Sequence, residues 1–189
     1  MKTTLEKLRQ RATSSSVKAI DGHYFIPDAK LLEILPDTDV EVCIQECAGL
    51  DVARKKDCSR TVKSGGRKIL LVLIQLEKVH LVLKFVDHNR AHDRQLPFDL
   101  KGLEKMLADK SDARSFHDKQ WSVIPVRFEE GRTHRTYDTR TIFPFLAFES
   151  LKGAEGAFGE MSIVTVEGTQ HEFLDLVDPR TKAGSKVGN

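Results

Sequence analysis

Near the end of the chain, Gly156, Ala157, Phe158 and Gly159 have types and spacing suited to holding an anion. Residues with little or no side chain let backbone N–H groups approach a phosphate closely, so a turn built from them can fold over one. These four are the candidate cofactor-binding residues. They lie within residues 151–166, a glycine-rich turn between two runs able to form strands. A plain strand–turn–strand is the competing interpretation.

Other chemistry-bearing patterns are weaker. Ser64-Gly65-Gly66-Arg67-Lys68 resembles a phosphate loop but lacks the Gly-Lys-Ser or Gly-Lys-Thr ending, so a helix break explains it better. Cys43 and Cys47, four apart on one helical face, suggest zinc together with Cys58, His80, His88 and His92. Structural zinc sites bring their ligand pairs on short turns, which makes two buried thiols the simpler account and leaves no metal ligand to name. No glutamate follows His88 as a zinc protease motif requires, and both His88 and His92 read as surface residues. Arg9 and Arg11 ahead of Ser14, Ser15 and Ser16 form a phosphorylation-like pattern that is more simply a solvated linker.

Composition narrows the class. With 40% hydrophobic and 31% charged residues, the 189-residue chain reads as an ordinary globular protein of one domain or two small ones. A net charge of +2 gives no basic excess for nucleic acid. The most apolar run, residues 69–86, is interrupted by Gln75, Glu77, Lys78, His80 and Lys84, which argues against a membrane span. The charged start lacks a secretion signal, and three cysteines form no disulfide framework, so cytoplasm or nucleus is expected.

The elements that must position the glycine loop follow in order. An amphipathic helix over residues 1–11 carries Leu5 and Leu8 and fades into a flexible linker at residues 12–16. A helix starts at Ile26-Pro27-Asp28 with Leu31, Leu32 and Leu35 as its stripe and stops at Pro36. Asp37, Thr38 and Asp39 offer N-cap oxygens to a second helix, carrying Val40, Ile44 and Cys47 and ending at Gly49. Ile69, Leu70, Leu73, Ile74, Val79, Val82, Leu83 and Val86 predict buried helices with a bend near Glu77 and Lys78. Leu96-Pro97-Phe98 marks a turn before a helix with Leu100, Leu103 and Leu107, and residues 109–112 lead out of it.

From Phe116 the texture changes. Trp121, Val123, Ile124, Val126 and Phe128 predict a strand with Pro125 at an edge, Glu130-Gly131 a hairpin turn, and residues 133–141 a polar return arm. Ile142, Phe143, Phe145, Leu146 and Phe148 are expected to bury against the helices or against a partner, and Ile163, Val164, Thr165 and Val166 form the last strand. The expected class is α+β. Residues 1–20 are a helix and linker, 21–118 a helical domain, 119–178 a β-rich segment, and 179–189 a disordered tail.

The order of signals resembles the N-terminal region of a group of fungal proteins with protein kinase domains. The matching residues are Arg67-Lys68-Ile69-Leu70, Leu96-Pro97-Phe98, Gln120-Trp121, Pro125-Val126-Arg127-Phe128, His134, Phe143-Pro144-Phe145 and Gly156-Ala157-Phe158-Gly159. The resemblance covers residues 41–173 and implies that the β segment is the start of a kinase N-lobe. Ala154 stands where the kinase loop has its first glycine and Met161 where a valine packs over the base. A strand lysine, a catalytic aspartate in His-Arg-Asp and an Asp-Phe-Gly are not recognisable, and His92-Asp93-Arg94 has the wrong order and place. The resemblance therefore implies a truncated, non-catalytic kinase-like chain with no catalytic residue, no cofactor beyond weakly held ATP at Gly156–Gly159, and a regulatory helical region. The alternative is an interaction module that binds a protein partner, such as a related kinase, through residues 142–148.

Overall fold

The structure, a computed structural model, describes residues 3–47, 51–129, 135–150 and 162–172. The glycine loop 156–159, the Glu130-Gly131 turn, Gly49 and the 179–189 tail lie outside these residues. Among the described residues the chain is mixed helix and strand, with eight α-helices and two small antiparallel sheets.

Helix α1 (Thr4–Ser14) opens with a capping box in which Thr3 Oγ1 accepts the Glu6 N–H and the Glu6 carboxylate accepts the Thr3 N–H. It does not stop where the sequence suggests. The expected linker is its last turn, because Ala12 packs into the core and the Thr13 and Ser14 hydroxyls bond back to the carbonyls of Arg9 and Arg11. A short hairpin follows, β1 (Val17–Lys18) against β2 (Tyr24–Phe25), with Gly22 at φ +89° in its turn.

After a 3₁₀ turn at Asp28–Lys30 come α2 (Leu31–Ile34) and α3 (Asp37–Gln45). In α2 the buried face is Ile34 and Leu35, while Leu32 points to solvent. Pro36, which brings no side-chain oxygen, holds the N-cap position of α3. Asp37 and Asp39 sit inside the first turn instead, paired with Arg67 and Arg11. Arg11 also donates to the Ile34 carbonyl at 2.9 Å, which ties α1 to the end of α2.

Helices α4 (Val52–Gly65) and α5 (Arg67–Gln75) meet at the glycine break. A Cβ at Gly66 would lie 2.4 Å from the Ala91 carbonyl oxygen, so the crossing requires glycine. Every residue of α5 from Ile69 to Ile74 is buried. The expected bend follows: Glu77 adopts φ +62°, the Glu77 N–H reaches the Ile74 carbonyl and the Lys78 N–H the Leu73 carbonyl, a Schellman ending. A 3₁₀ turn at Val79–Leu81 leads to α6 (Val82–Asp87).

Helix α7 (Leu100–Leu107) is capped by Asp99, and α8 (Lys110–Lys119) by Asp109. Residues 109–112, expected to lead out of the Leu100–Leu107 helix, do leave it and at once start another helix. Ala113 and Phe116 bury its inner face, and Phe116 packs with Phe85 and Phe98 at ring-centroid distances of 4.8 and 6.1 Å. The strand expected from Trp121 is a 3₁₀ turn at Gln120–Val123 followed by irregular chain. Residues 135–141 of the expected return arm are irregular too. The last two elements are β3 (Phe145–Ser150) and β4 (Ser162–Val166), antiparallel partners on either side of the glycine-rich segment.

Two polar side chains, one buried and one half-buried, fasten this architecture. Gln120 is fully buried; its Oε1 accepts the Phe98 N–H at 2.8 Å, and its Nε2 donates to the Phe98 and His117 carbonyls at 3.0 Å each. Gln120→Leu should destabilise the protein by about 2–4 kcal/mol in urea titration, because it strands buried backbone groups. Asp93 accepts the Lys68 and Ile69 N–H groups at 3.0 and 3.2 Å, capping α5 from a distant loop. Burial pushes the Asp93 carboxyl above the usual aspartate range, against the backbone hydrogen bonds that favour its charged form.

A raised carboxyl binds its proton more tightly in the folded state, so its stability contribution is complete below the unfolded-state value and declines as pH rises through the folded one. The stability of the native protein relative to Asp93→Asn should therefore fall as pH rises from about 4 through the raised value, measured by urea midpoints across pH.

Candidate protein-binding hairpin

The hairpin β3–β4 is joined to the helical body through its base. The Val126 N–H bonds to the Ile142 carbonyl, the Ile20 N–H to the Phe145 carbonyl and the Glu167 N–H to the Pro144 carbonyl, all within 2.8–2.9 Å. Phe128 forms an isolated parallel bridge with His171, its N–H bonded to the Gln170 carbonyl and its carbonyl to the Glu172 N–H. Around these bonds runs an aromatic row. Phe128 stacks on Phe145 at 5.8 Å, Phe145 on Phe143 at 5.5 Å, and Tyr137 meets Phe143 edge-on at 5.0 Å.

A second core lies beneath the row, formed by Ala19, Phe25, Trp121 and Ile142. Arg140 closes it from outside, with its guanidinium 5.6 Å from the Trp121 ring. Its Nη1 lies 3.0 and 3.1 Å from the two His117 ring nitrogens, and its Nε is 3.0 Å from Asp138. Near-equal distances to both nitrogens place the guanidinium over the imidazole face. Hydrogen bonding from Arg140 lowers the Asp138 carboxyl below the usual range. Sequence reasoning missed Arg140 and His117; the Asp138-x-Arg140 spacing was the only local trace of the pair.

Farther from the base the hairpin is open on both faces. The bulged register sets Phe148 opposite Val164 and Glu149 opposite Ile163. Phe148 is 58% exposed, Ile163 41%, Leu146 40% and Val164 38%, whereas Ile142 and Pro144 are buried. The apolar segment 142–148 thus divides: its first half anchors and its second half faces solvent. A two-stranded ribbon is marginal by itself, and exposed apolar cross-strand pairs invite a further strand or a packed surface.

The resemblance motifs converge here in part. Gln120 clasps Phe98, Trp121 packs with Ile142, and Phe128 stacks on Phe145, while Lys68 and Ile69 belong to the distant N-terminus of α5. His134 and the candidate anion-binding residues Gly156, Ala157, Phe158 and Gly159 lie outside the described residues. The cysteines are packed side chains. Burial raises Cys43 to about 12 and Cys58 to about 11, and raises Cys47 as well, which leaves protonated thiols with little nucleophilic or ligand character. No cluster of metal-binding side chains occurs among the described residues, nor does any helix long and apolar enough to cross a membrane.

Compared with protein-family models, curated proteins and solved structures, the chain has no significant match.

The aromatic row makes the hairpin a separable unit. Phe145→Ala should speed hydrogen exchange in β3 and β4 at least tenfold while leaving exchange in α5 unchanged, as read by mass spectrometry.

Proposed function

We propose that this chain is a non-catalytic, kinase-like interaction module: a helical regulatory body that presents a hairpin of kinase N-lobe type to a protein partner. The observation that carries the proposal is the open outer half of β3–β4, with Phe148, Leu146, Val164 and Ile163 exposed on a two-stranded sheet. The antiparallel pairing of strands that flank a Gly-x-Phe-Gly segment supports the kinase-like part of the reading.

Two physical features favour binding as the role of this hairpin. Its base is held by backbone bonds, stacked rings and the Arg140 contacts, so the ribbon is presented in a defined orientation and less freedom is lost on association. Its outer side chains are large and apolar, the kind that dominate interface energetics once covered. The partner class that fits is a protein with β-structure able to cover an apolar ribbon, and a related kinase domain is the first such partner to test.

Phe148→Asp tests the proposal because the side chain is mostly exposed, and the variant's melting temperature and circular dichroism should match those of the native chain. Binding to a related kinase domain, followed by calorimetry, should weaken at least tenfold, about 1.4 kcal/mol. Unchanged binding by this variant, or no protection of β3 and β4 from hydrogen exchange in the complex, would reject the assigned surface.

A further inference from the structure

A second feature lies beside the N-terminal helix α1 and does not depend on the hairpin. A cavity of about 450 Å³ is lined by Arg9 and Thr13 of α1, Ser16, Tyr24 of β2, Gln75 at the end of α5 and Lys119 at the end of α8. Its volume falls in the range of roughly 300–1,000 Å³ common for small-molecule sites. The lining contains two cations and no carboxylate.

The lining groups divide into donors and acceptors. Arg9 is paired with Glu77, which leaves Lys119 as the uncompensated charge. The Lys119 ammonium has no partner among the described residues, and burial lowers its affinity for its proton. The Tyr24 hydroxyl likewise bonds to none of the described residues. On the acceptor side, Gln75 Oε1 is buried without a hydrogen bond. Ser16 and Thr13 already donate their hydroxyl protons, to the Ala12 carbonyl at 2.8 Å and the Arg9 carbonyl at 3.0 Å, so they offer only lone pairs inward.

An orphaned buried amide oxygen and an unpaired, partly buried ammonium are both destabilising when left alone. One molecule relieves both if it carries a negative oxygen for Lys119 and Tyr24 and a hydroxyl proton for Gln75. We propose that this cavity binds a small hydroxylated oxyanion, a polyol bearing a phosphate monoester or a carboxylate. The charged end sits on Lys119, Tyr24 and the free edge of Arg9, and the hydroxyls donate to Gln75, Ser16 and Thr13. Lys18, whose ammonium lies 6.0 Å from the Tyr24 ring, adds to the positive field at the mouth.

The test uses the full chain with three probes, glycerol 3-phosphate, glycerate and inorganic phosphate, read by calorimetry and by the shift in melting temperature at about 10 mM ligand. Either hydroxylated probe should bind more tightly than inorganic phosphate, and which of the two prevails distinguishes the phosphate from the carboxylate form. Lys119→Met should weaken that binding at least tenfold, and Gln75→Leu about threefold or more, while Lys105→Met on α7 leaves it unchanged. Tyr24→Phe removes only a hydroxyl from an exposed ring and should weaken binding without affecting folding, which keeps the test valid if another variant fails to fold. The proposal is overturned if no probe shifts the melting temperature, if binding survives Lys119→Met, or if inorganic phosphate binds as well as the polyols.

Discussion

Burial of α5 on all sides is the constraint from which the rest of the molecule follows. A nine-residue helix with Ile69 to Ile74 wholly shielded cannot satisfy its first N–H groups with water, and Gly66, which precedes it, brings no capping side chain. Asp93 supplies the missing acceptor from the loop after α6. The loop must therefore cross over the α4–α5 junction, and Gly66 is the residue whose lack of a Cβ allows that crossing. A local need of one helix is met by long-range chain placement, which fixes α6 and the start of the Leu96-Pro97-Phe98 turn relative to the core.

Gln120 extends the same principle to the next layer. Its amide takes both backbone groups of Phe98 and the His117 carbonyl, so the turn before α7 is locked to the end of α8. Phe85, Phe98 and Phe116 then pack as a trio from three separate elements. From this layer Trp121 reaches the second core and Arg140 lies over it, carrying the constraint to the base of the hairpin. The chain of contacts runs from α5 to Phe145 without a gap in packing, yet it stops there. Beyond Phe145 the strands are held by each other.

This gradient explains what was legible in the sequence. The α5 run, the bend at Glu77 and the strands around the glycine-rich segment were visible because apolar periodicity, a glycine break and alternating residues act locally. Helix α8 was not, since its buried face of Ala113, Phe116 and His117 has only two apolar residues and its first turn, Lys110 to Asp112, is all polar. Trp121 to Phe128 has strand composition but no strand partner except at Phe128, because Gln120 and the second core capture the chain first. Propensity describes what a segment favours alone; buried side-chain clasps such as Gln120 decide otherwise and leave no periodic trace.

The same reasoning separates the two surfaces proposed to have a role. The cavity beside α1 collects polar groups left over when five segments pack, and sequence distance hides it: Arg9, Gln75 and Lys119 share no motif. The hairpin is the reverse case, since its apolar residues are contiguous in sequence and its exposure appears only in the fold. An apolar strand is normally stabilised by burial, and 142–148 is so through its first half, the buried Ile142 and Pro144 and the half-buried, stacked rings of Phe143 and Phe145. Leu146 and Phe148 contribute nothing comparable to the folded chain. Large apolar side chains on a braced ribbon with both faces open are the physical ground of the proposed partner surface, since covering them would remove apolar area from water that the fold itself leaves exposed.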